Sequence, residues 1–200
     1  MVKKPTKNTL QKLYQNGKSM AEIAHVLHCS IHTFIYWMKK YNLKRRNHSE
    51  ATYIKENPYG DPFHIKENLN KQDQLLLGIC MGIYLGEGNK VIKHSLRITN
   101  TNPFILRLFL QFLFSICNFD KNRISTSIVC FNDTDPETAR AYWSKQLKIS
   151  PEKFGKITRI ASQGKGTYKR KSQFGVCTVQ ANNIKLTSWL RNQIELLEPK

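Results

Sequence analysis

The sequence has no long apolar run. Its longest mostly apolar stretch, residues 105–117, is interrupted by Arg107 and Gln111, and it is shorter than the roughly 20 apolar residues that span a bilayer. The basic residues at the start of the chain are not followed by the apolar segment of a signal peptide. We therefore expect a protein without a membrane partner.

Cysteines are few, and they are not grouped. The five cysteines, at positions 29, 80, 117, 130 and 177, are odd in number and include no C-x-x-C pair. This spacing argues against both a zinc site and a disulfide framework. We expect most of them to be small apolar core residues in a reducing compartment, which predicts a cytoplasmic protein.

Acidic residues are scarce. The chain has 14 Asp and Glu against 32 Lys and Arg, a formal net charge of +18 over 200 residues. So large a positive excess favours a polyanionic partner, and the phosphate backbone of nucleic acid is the commonest one. The length suffices for one large domain or two small ones with real cores.

The first part of the chain, residues 6–43, has the apolar periodicity of three short helices. Ser19 and Glu22 have the spacing of a capping box, which predicts the start of the second helix. Ser30 is expected to cap the third helix, IHTFIYWMKKYN, after a turn of three residues. Two short helices joined by so tight a turn form a helix-turn-helix.

The stretch SMAEIAHVLHCSIHTFIYWMKKYNLKRR resembles the resolvase-type helix-turn-helix. The resemblance implies that the third helix enters the major groove of double-stranded DNA. Base edges would then be contacted by His32, Thr33 and Tyr36. Phosphates would be contacted by four basic residues: Lys39, Lys40, Arg45 and Arg46. The alternative is an interaction module without DNA, but residues 1–55 hold eleven Lys or Arg and only two acids, which favours nucleic acid.

The remainder of the chain is predicted to contain a linker and a second domain. Residues 47–72 are polar, contain two prolines and a glycine, and show neither a helical nor a strand period, which indicates a linker. We therefore expect a DNA-binding module over residues 1–46 and a second domain over residues 73–200.

The second domain contains both helix and strand patterns, in the order helix, two strands, helix, strand, inserted helix, strand and helix, and we expect an α+β fold. Four strands are expected, at residues 89–94, 94–100, 123–131 and 174–181. Helices are expected after Asn102-Pro103, after Asp135-Pro136 and at the end of the chain. The strands alternate between apolar and polar side chains. Their predicted polar faces carry Ser95, Arg97, Thr99, Arg123, Ser125, Ser127, Thr178 and Gln180.

A helix with unusual glycines precedes these strands. In LLLGICMGIYLGEG, Gly78, Gly82 and Gly86 recur once per helical turn and share one face. Glycine is disfavoured inside a helix by about 0.8–1 kcal/mol relative to alanine, so three in line suggest the close approach of another backbone. Glu87 ends the stretch, where the negative end of the helix dipole disfavours a carboxylate unless a positive charge compensates it. The pattern suggests a metal site at a seam between two helices.

This stretch resembles the signature helix of the LAGLIDADG family. MGIYLGEG aligns with AGLIDADG, so that Glu87 takes the position of the catalytic acid while Leu85 replaces the family's first Asp. Together with the order of the other elements, the resemblance extends to the family's αββαββα core, with one inserted helix, over residues 73–200. It implies that two signature helices pack together and that each delivers one acid to a divalent metal at the scissile phosphate.

One signature helix per chain implies a homodimer. Glu87 would be paired with its symmetry mate at a Mg²⁺ site across the seam formed by Gly78, Gly82 and Gly86, and a two-fold dimer favours a pseudo-palindromic DNA target. The family's curved antiparallel sheet straddles the major groove, which implies DNA contacts from Arg97, Thr99, Arg123 and Ser125. Further polar groups near the metal are expected at Lys90, Asn100 or Asn102.

A basic segment, residues 151–172, contains seven Lys or Arg and one acid, and two glycines make its middle flexible. It is either a phosphate clamp or a solvated loop. A clamp would use Lys165, Lys169, Arg170 and Lys171.

Three functions are compatible with these features. The first is a homodimeric, metal-dependent, site-specific DNA endonuclease that hydrolyses phosphodiester bonds. The second is a non-catalytic DNA-binding regulator that keeps the fold, and the third is an RNA-splicing maturase, which the DNA-type front module disfavours. Retention of the acid at position 87 favours the nuclease.

Overall fold

The computed structural model describes residues 4–161 and 172–197. The chain divides into two compact units, Met1–Pro62 and Phe63–Lys200. The described residues form eight α-helices and one four-stranded mixed sheet, so the α+β class is confirmed. None of the helices in these residues is long and apolar enough to cross a bilayer.

Three short helices begin the first unit: α1 (Lys7–Gln15), α2 (Met20–Val26) and α3 (Ile31–Lys40). The capping box at the start of α2 is confirmed. The Ser19 hydroxyl accepts from the Glu22 amide (3.1 Å), and the Glu22 carboxylate accepts from the Ser19 amide (2.7 Å). These reciprocal bonds satisfy two backbone donors that the helix itself leaves unpaired.

The core of the first unit lies between these three helices. It consists of six buried residues: Leu10, Ile23, Ala24, Phe34, Trp37 and Met38. Their burial agrees with the apolar periodicity that predicts three short helices in residues 6–43. Burial of each large side chain contributes about 1.5–3 kcal/mol, so α3, which supplies three of them, is firmly held.

A fourth helix, α4 (His48–Glu56), lies in the segment expected to be a linker. Its start has a capping box formed by Asn47 and Glu50. The helix gave no periodic signal because its half-buried apolar residues, Tyr53 and Ile54, are adjacent rather than one turn apart.

The described part of the second unit contains four α-helices and four strands. The helices are α5 (Lys71–Glu87), α6 (Pro103–Ser115), α7 (Pro136–Leu147) and α8 (Ile184–Glu195). The strands are β1 (Ser95–Asn100), β2 (Ile124–Phe131), β3 (Thr158–Ile160) and β4 (Val176–Asn182). Their order in the sheet is β1-β4-β2-β3, with β4 antiparallel to both neighbours and β3 parallel to β2.

Three strand predictions were wrong. Residues 89–94 form a turn rather than a strand, because the Asn89 side-chain oxygen accepts from the amides of Val91 and Ile92 and competes with strand pairing. Arg123 ends a short 3₁₀ turn before β2 instead of lying in the strand. The short parallel strand β3 makes the sheet mixed, whereas the resemblance implied an antiparallel one.

One face of the sheet forms the core with α5, α6, α7 and α8. In the register of the strands, Leu96 pairs with Ala181, and Ile98 pairs with Val179. Helix α6 and the two residues after it contribute six buried apolar residues at a helical spacing: Leu106, Phe109, Leu110, Leu113, Ile116 and Cys117. The core therefore fixes which face of the sheet remains open.

The start of α5 is anchored by charge. The Asp73 carboxylate accepts from the Asn70 amide (3.0 Å) and from the Lys66 ammonium (2.6 Å). Both hydrogen bonds lower the pKa of Asp73, and the bond from Lys66 has the larger effect. The segment carrying Lys66 is also tied to the end of α6, because the Lys66 amide donates to the Ile116 carbonyl (2.8 Å).

Candidate nucleic-acid interface

Glu87 is the last residue of α5, and its side chain is exposed. Gly88 follows as the C-cap, and its amide donates to the Tyr84 carbonyl (2.9 Å). Gly88 also forms an antiparallel bridge to Ile98 of β1. The carboxylate therefore stands at the point where the helix meets the edge of the sheet.

The glycine face of α5 is open. A β-carbon added at Gly78, Gly82 or Gly86 would meet nothing within 4 Å, apart from the helix's own nearby backbone, in the described part of the chain. The apolar residues Leu75 (65% exposed) and Leu85 (49% exposed) lie along the same side. We call this surface the glycine face; it consists of Leu75, Gly78, Ile79, Gly82, Leu85 and Gly86.

Two cations lie at the carboxyl end of α5. The Lys90 ammonium donates to the Leu85 carbonyl, and Arg191 donates from Nη2 to the Lys90 carbonyl (2.8 Å). Positive charge at a helix C-terminus is favourable because it offsets the negative end of the dipole. These cations offset the negative end of the dipole at the helix end that carries Glu87.

The face of the sheet opposite the core is polar but only partly open, because Ser95 and Thr178, which were predicted on this face, are buried. In the strand register, Arg97 pairs with Gln180, which pairs with Ser125 on its other side. Thr99 and Thr178 are paired in the same way, and their hydroxyls share a hydrogen bond (2.8 Å). Thr178 pairs on its other side with Ser127, so these three residues form a second row across the strands. Of the predicted sheet contacts, Arg97, Thr99 and Ser125 are thus brought together on one face without an acid among them.

Arg123 is the exception. It lies before β2 with its side chain 3.8 Å from the Asp120 carboxylate, so it is not in the rows that bring Arg97 and Ser125 together. The ion pair is exposed and contributes little to stability.

In the first unit, α3 presents the expected polar side chains to solvent. His32, Tyr36, Lys39 and Lys40 are exposed, with Lys40 over the Tyr36 ring at 5.8 Å. Thr33 is half-buried, and its amide donates to the Ser30 side chain that caps the helix. The exposed side of α3 therefore combines an aromatic ring with several donors.

The two arginines after α3 differ. Arg45 is exposed. The guanidinium of Arg46 lies 4.0 Å from the centre of the Tyr14 ring and donates to the carbonyls of Tyr14 and Lys18. Arg46 therefore joins the end of the three-helix module to α1 and has fewer donors left for a phosphate.

The remaining predicted DNA contacts, Lys165, Lys169, Arg170 and Lys171, lie outside the described residues. Of the other polar candidates, Asn100 accepts from the Asn102 amide (2.8 Å), and Asn102 caps α6 by accepting from the Phe104 amide (2.9 Å). Both asparagine side chains therefore accept hydrogen bonds from backbone amides at the start of α6.

Cysteine does not contribute to the site. Four of the five cysteines are buried, as expected. Burial raises the pKa of Cys80 and of Cys177 to about 12, so these thiols stay protonated, whereas metal binding and nucleophilic attack need the thiolate. Among the described residues, no group of three or more His, Cys, Asp or Glu side chains is placed to hold a metal ion.

Comparison of the chain with family models, with curated proteins and with solved structures gave no match.

Two residues at the site gave no sequence signal. In the sequence, Tyr84 occupies an ordinary apolar position of α5, and Arg191 is one of many basic residues. Their hydroxyl and guanidinium are in contact (3.1 Å) although they are 107 residues apart in the chain. No local pattern in the sequence indicates this contact, because α8 carries several other polar residues.

Proposed function

We propose that this protein is a site-specific DNA-binding protein that acts as a homodimeric, metal-dependent endonuclease of the LAGLIDADG type. The observation that carries the proposal is the place of Glu87: an exposed carboxylate at the end of the open glycine face, beside a sheet that brings Arg97, Thr99 and Ser125 together on the face opposite the core. In this proposal the front module is a helix-turn-helix, and the second unit has the family's fold.

Glu87 suits a divalent ion. Its carboxylate is exposed, and the salt bridges among the described residues do not involve it. Magnesium is commonly held by one or two carboxylates with water and phosphate oxygens in the remaining positions. Bound there, the ion supplies positive charge that polarises the scissile phosphate.

The glycine face supports the proposed dimer. Because Gly78, Gly82 and Gly86 lack side chains and face open space, a second copy of α5 can approach closely enough to bring the two Glu87 carboxylates together. The exposed side chains of Leu75 and Leu85 would be removed from water by the same contact. One chain thus supplies half of the proposed site.

DNA binding is assigned to two surfaces. On α3, Tyr36 and His32 would contact base edges, and Lys39 and Lys40 would neutralise phosphates. On the sheet, Arg97 is a strong donor for guanine, while the threonine and serine hydroxyls beside it can accept or donate. The net charge of +18 supplies the attraction that does not depend on DNA sequence.

A non-catalytic DNA-binding regulator is the second candidate. The observation that favours it is the pair of cations at the end of α5, because Lys90 and Arg191 give Glu87 a favourable charge environment without any metal. Retention of the acid would then reflect helix stability rather than catalysis.

Cleavage of a randomised palindromic DNA library distinguishes the two. With Mg²⁺, the wild-type protein is expected to cut a defined subset, and Glu87→Gln, which keeps the size of the side chain, is expected to bind that subset without cutting it. Glu67→Gln, at an exposed glutamate that precedes the start of α5, is the matched control and should cut normally. Binding without cleavage by the wild-type protein would reject the nuclease in favour of the regulator.

A further inference from the structure

The three residues after Glu87 form hydrogen bonds with three elements of the fold, α5, β1 and α8. The Gly88 amide donates to the Tyr84 carbonyl in α5 (2.9 Å), and the Asn89 amide donates to the Arg97 carbonyl in β1 (3.1 Å). The Tyr84 hydroxyl donates to the Asn89 carbonyl (3.1 Å). Helix α8 supplies the third element through Arg191.

Arg191 makes two contacts in this segment. Its Nε donates to the Tyr84 hydroxyl (3.1 Å), and its Nη2 donates to the Lys90 carbonyl (2.8 Å). A guanidinium is planar and rigid, so the two bonds fix the hydroxyl and the carbonyl relative to each other. The Tyr84 hydroxyl accepts from Arg191 and donates to the Asn89 carbonyl, so two hydrogen bonds fix its position.

These contacts act on the position of Glu87 more than on the core. Arg191 is half-buried, whereas α8 is anchored by Leu186 and Leu190, both fully buried. Removing the guanidinium therefore leaves the packing of α8 intact but frees the chain immediately after the carboxylate. A displacement of about 1 Å at a reacting group is enough to reduce a rate about a hundredfold.

We infer that Arg191 is a positioning residue, which acts through Tyr84 and the Lys90 carbonyl to fix the carboxylate of Glu87 for phosphodiester cleavage. The role in cleavage rests on the proposed function. The holding of residues 88–90 does not, and it can be measured on the protein alone.

The first measurement is amide hydrogen exchange in the absence of DNA and metal. Arg191→Gln is expected to raise the exchange rates of the Gly88 and Asn89 amides about tenfold or more, since a charge-assisted bond that restrains the segment is lost. The Val179 amide, in the central strand β4, should be unaffected. Arg107→Gln, which removes an arginine contact between α6 and α7, is the matched control and should leave Gly88 and Asn89 unchanged.

The second measurement separates kcat from KM for DNA cleavage. Arg191→Gln and Tyr84→Phe are each expected to lower kcat about ten- to a hundredfold with KM unchanged, and the double variant should be no worse than the more impaired single one. Arg191→Lys keeps the charge but not the two-pronged geometry, so it should remain impaired. Full activity of Arg191→Lys would mean that charge, not position, is what matters.

The outcomes separate the inference from the proposed function. Unchanged exchange at Gly88 and Asn89 in Arg191→Gln overturns the inference, and so does faster exchange with unchanged kcat. If the wild-type protein cuts no DNA, the proposed nuclease function fails, and the exchange rates alone then support or overturn the holding of residues 88–90 by Arg191.

Discussion

Gly88 packs directly against Tyr84, so that a β-carbon at position 88 would overlap both the carbonyl oxygen and the ring of Tyr84. The ring cannot move aside, because Tyr84 is 2% exposed and its hydroxyl is bonded to Asn89 and Arg191. The glycine that ends α5 is therefore required by close approach rather than by backbone conformation.

Gly88→Ala is accordingly expected to destabilise the protein by about 1–3 kcal/mol, the usual cost of overpacking. Urea denaturation measures the free energy of unfolding. Gly86→Ala, two residues earlier in open space, is the matched control; it should cost nothing in the monomer and could gain up to about 1 kcal/mol from helix propensity. Equal stability of the two variants would contradict the packing argument.

The glycine face predicts a second effect, on assembly. Gly82→Leu adds a side chain where the described residues leave open space, so the fold should be retained while a close helix–helix contact is blocked. Sedimentation equilibrium should show a dimer for the wild-type protein and a monomer for the variant. Ala141→Leu, at an exposed small residue of α7, should remain dimeric. A monomeric wild-type protein with bound target DNA would reject the dimer.

The stability of the second unit should depend on the charge of Asp73. The hydrogen bond from Lys66 lowers the pKa of Asp73 in the folded state. The stabilisation from the charged carboxylate is therefore present above the ordinary carboxyl pKa of about 3.9. It is lost as the pH falls from that value towards the lower pKa of the folded state. Asp73→Asn and Lys66→Met should each reduce the loss of stability between pH 5 and pH 3, measured by urea denaturation (a window set around that ordinary value). A wild-type pH dependence in both variants would refute this assignment.

The phosphate contacts assigned to α3 can be counted. Lys39→Gln and Lys40→Gln should each weaken DNA binding at all sequences and reduce the slope of log K against log salt concentration by about 1. Fluorescence anisotropy at several salt concentrations measures the slope. Lys145→Gln, an exposed lysine on α7, should leave it unchanged, and an unchanged slope in the α3 variants would remove this helix from the interface.

Substitutions at Arg45 and Arg46 should have different effects, one on DNA binding and the other on stability. Arg46→Ala loses two bonds to carbonyls and the contact with the Tyr14 ring, so the first unit should lose about 1–3 kcal/mol of stability. Arg45→Ala removes an exposed charge and should weaken DNA binding while leaving the unfolding temperature unchanged. Thermal unfolding followed by circular dichroism, together with DNA titration, gives both quantities, and the reverse result would exchange the two roles.

Local features of this fold were predictable because they depend on neighbouring residues. The capping box at Ser19 and Glu22 and the Asn102 cap are bonds between residues two or three apart. The buried sides of α3 and α6 follow from the periodicity of their apolar residues. A polar atom can also override such patterns, as when the Asn89 side chain turned an expected strand into a turn.

By itself, the sequence determined the excess of positive charge, the capped amphipathic helices, the alternation of the strands and the placing of Glu87 behind three glycines on one helical face. Only the tertiary structure decided that β4 lies between β1 and β2, which brings Arg97, Gln180 and Ser125 into one row, and that Arg191 reaches the chain beside Glu87. The physical reason is that caps and periods are set by bonds within a few residues, whereas strand order and distant side-chain partners are set by how the whole core packs.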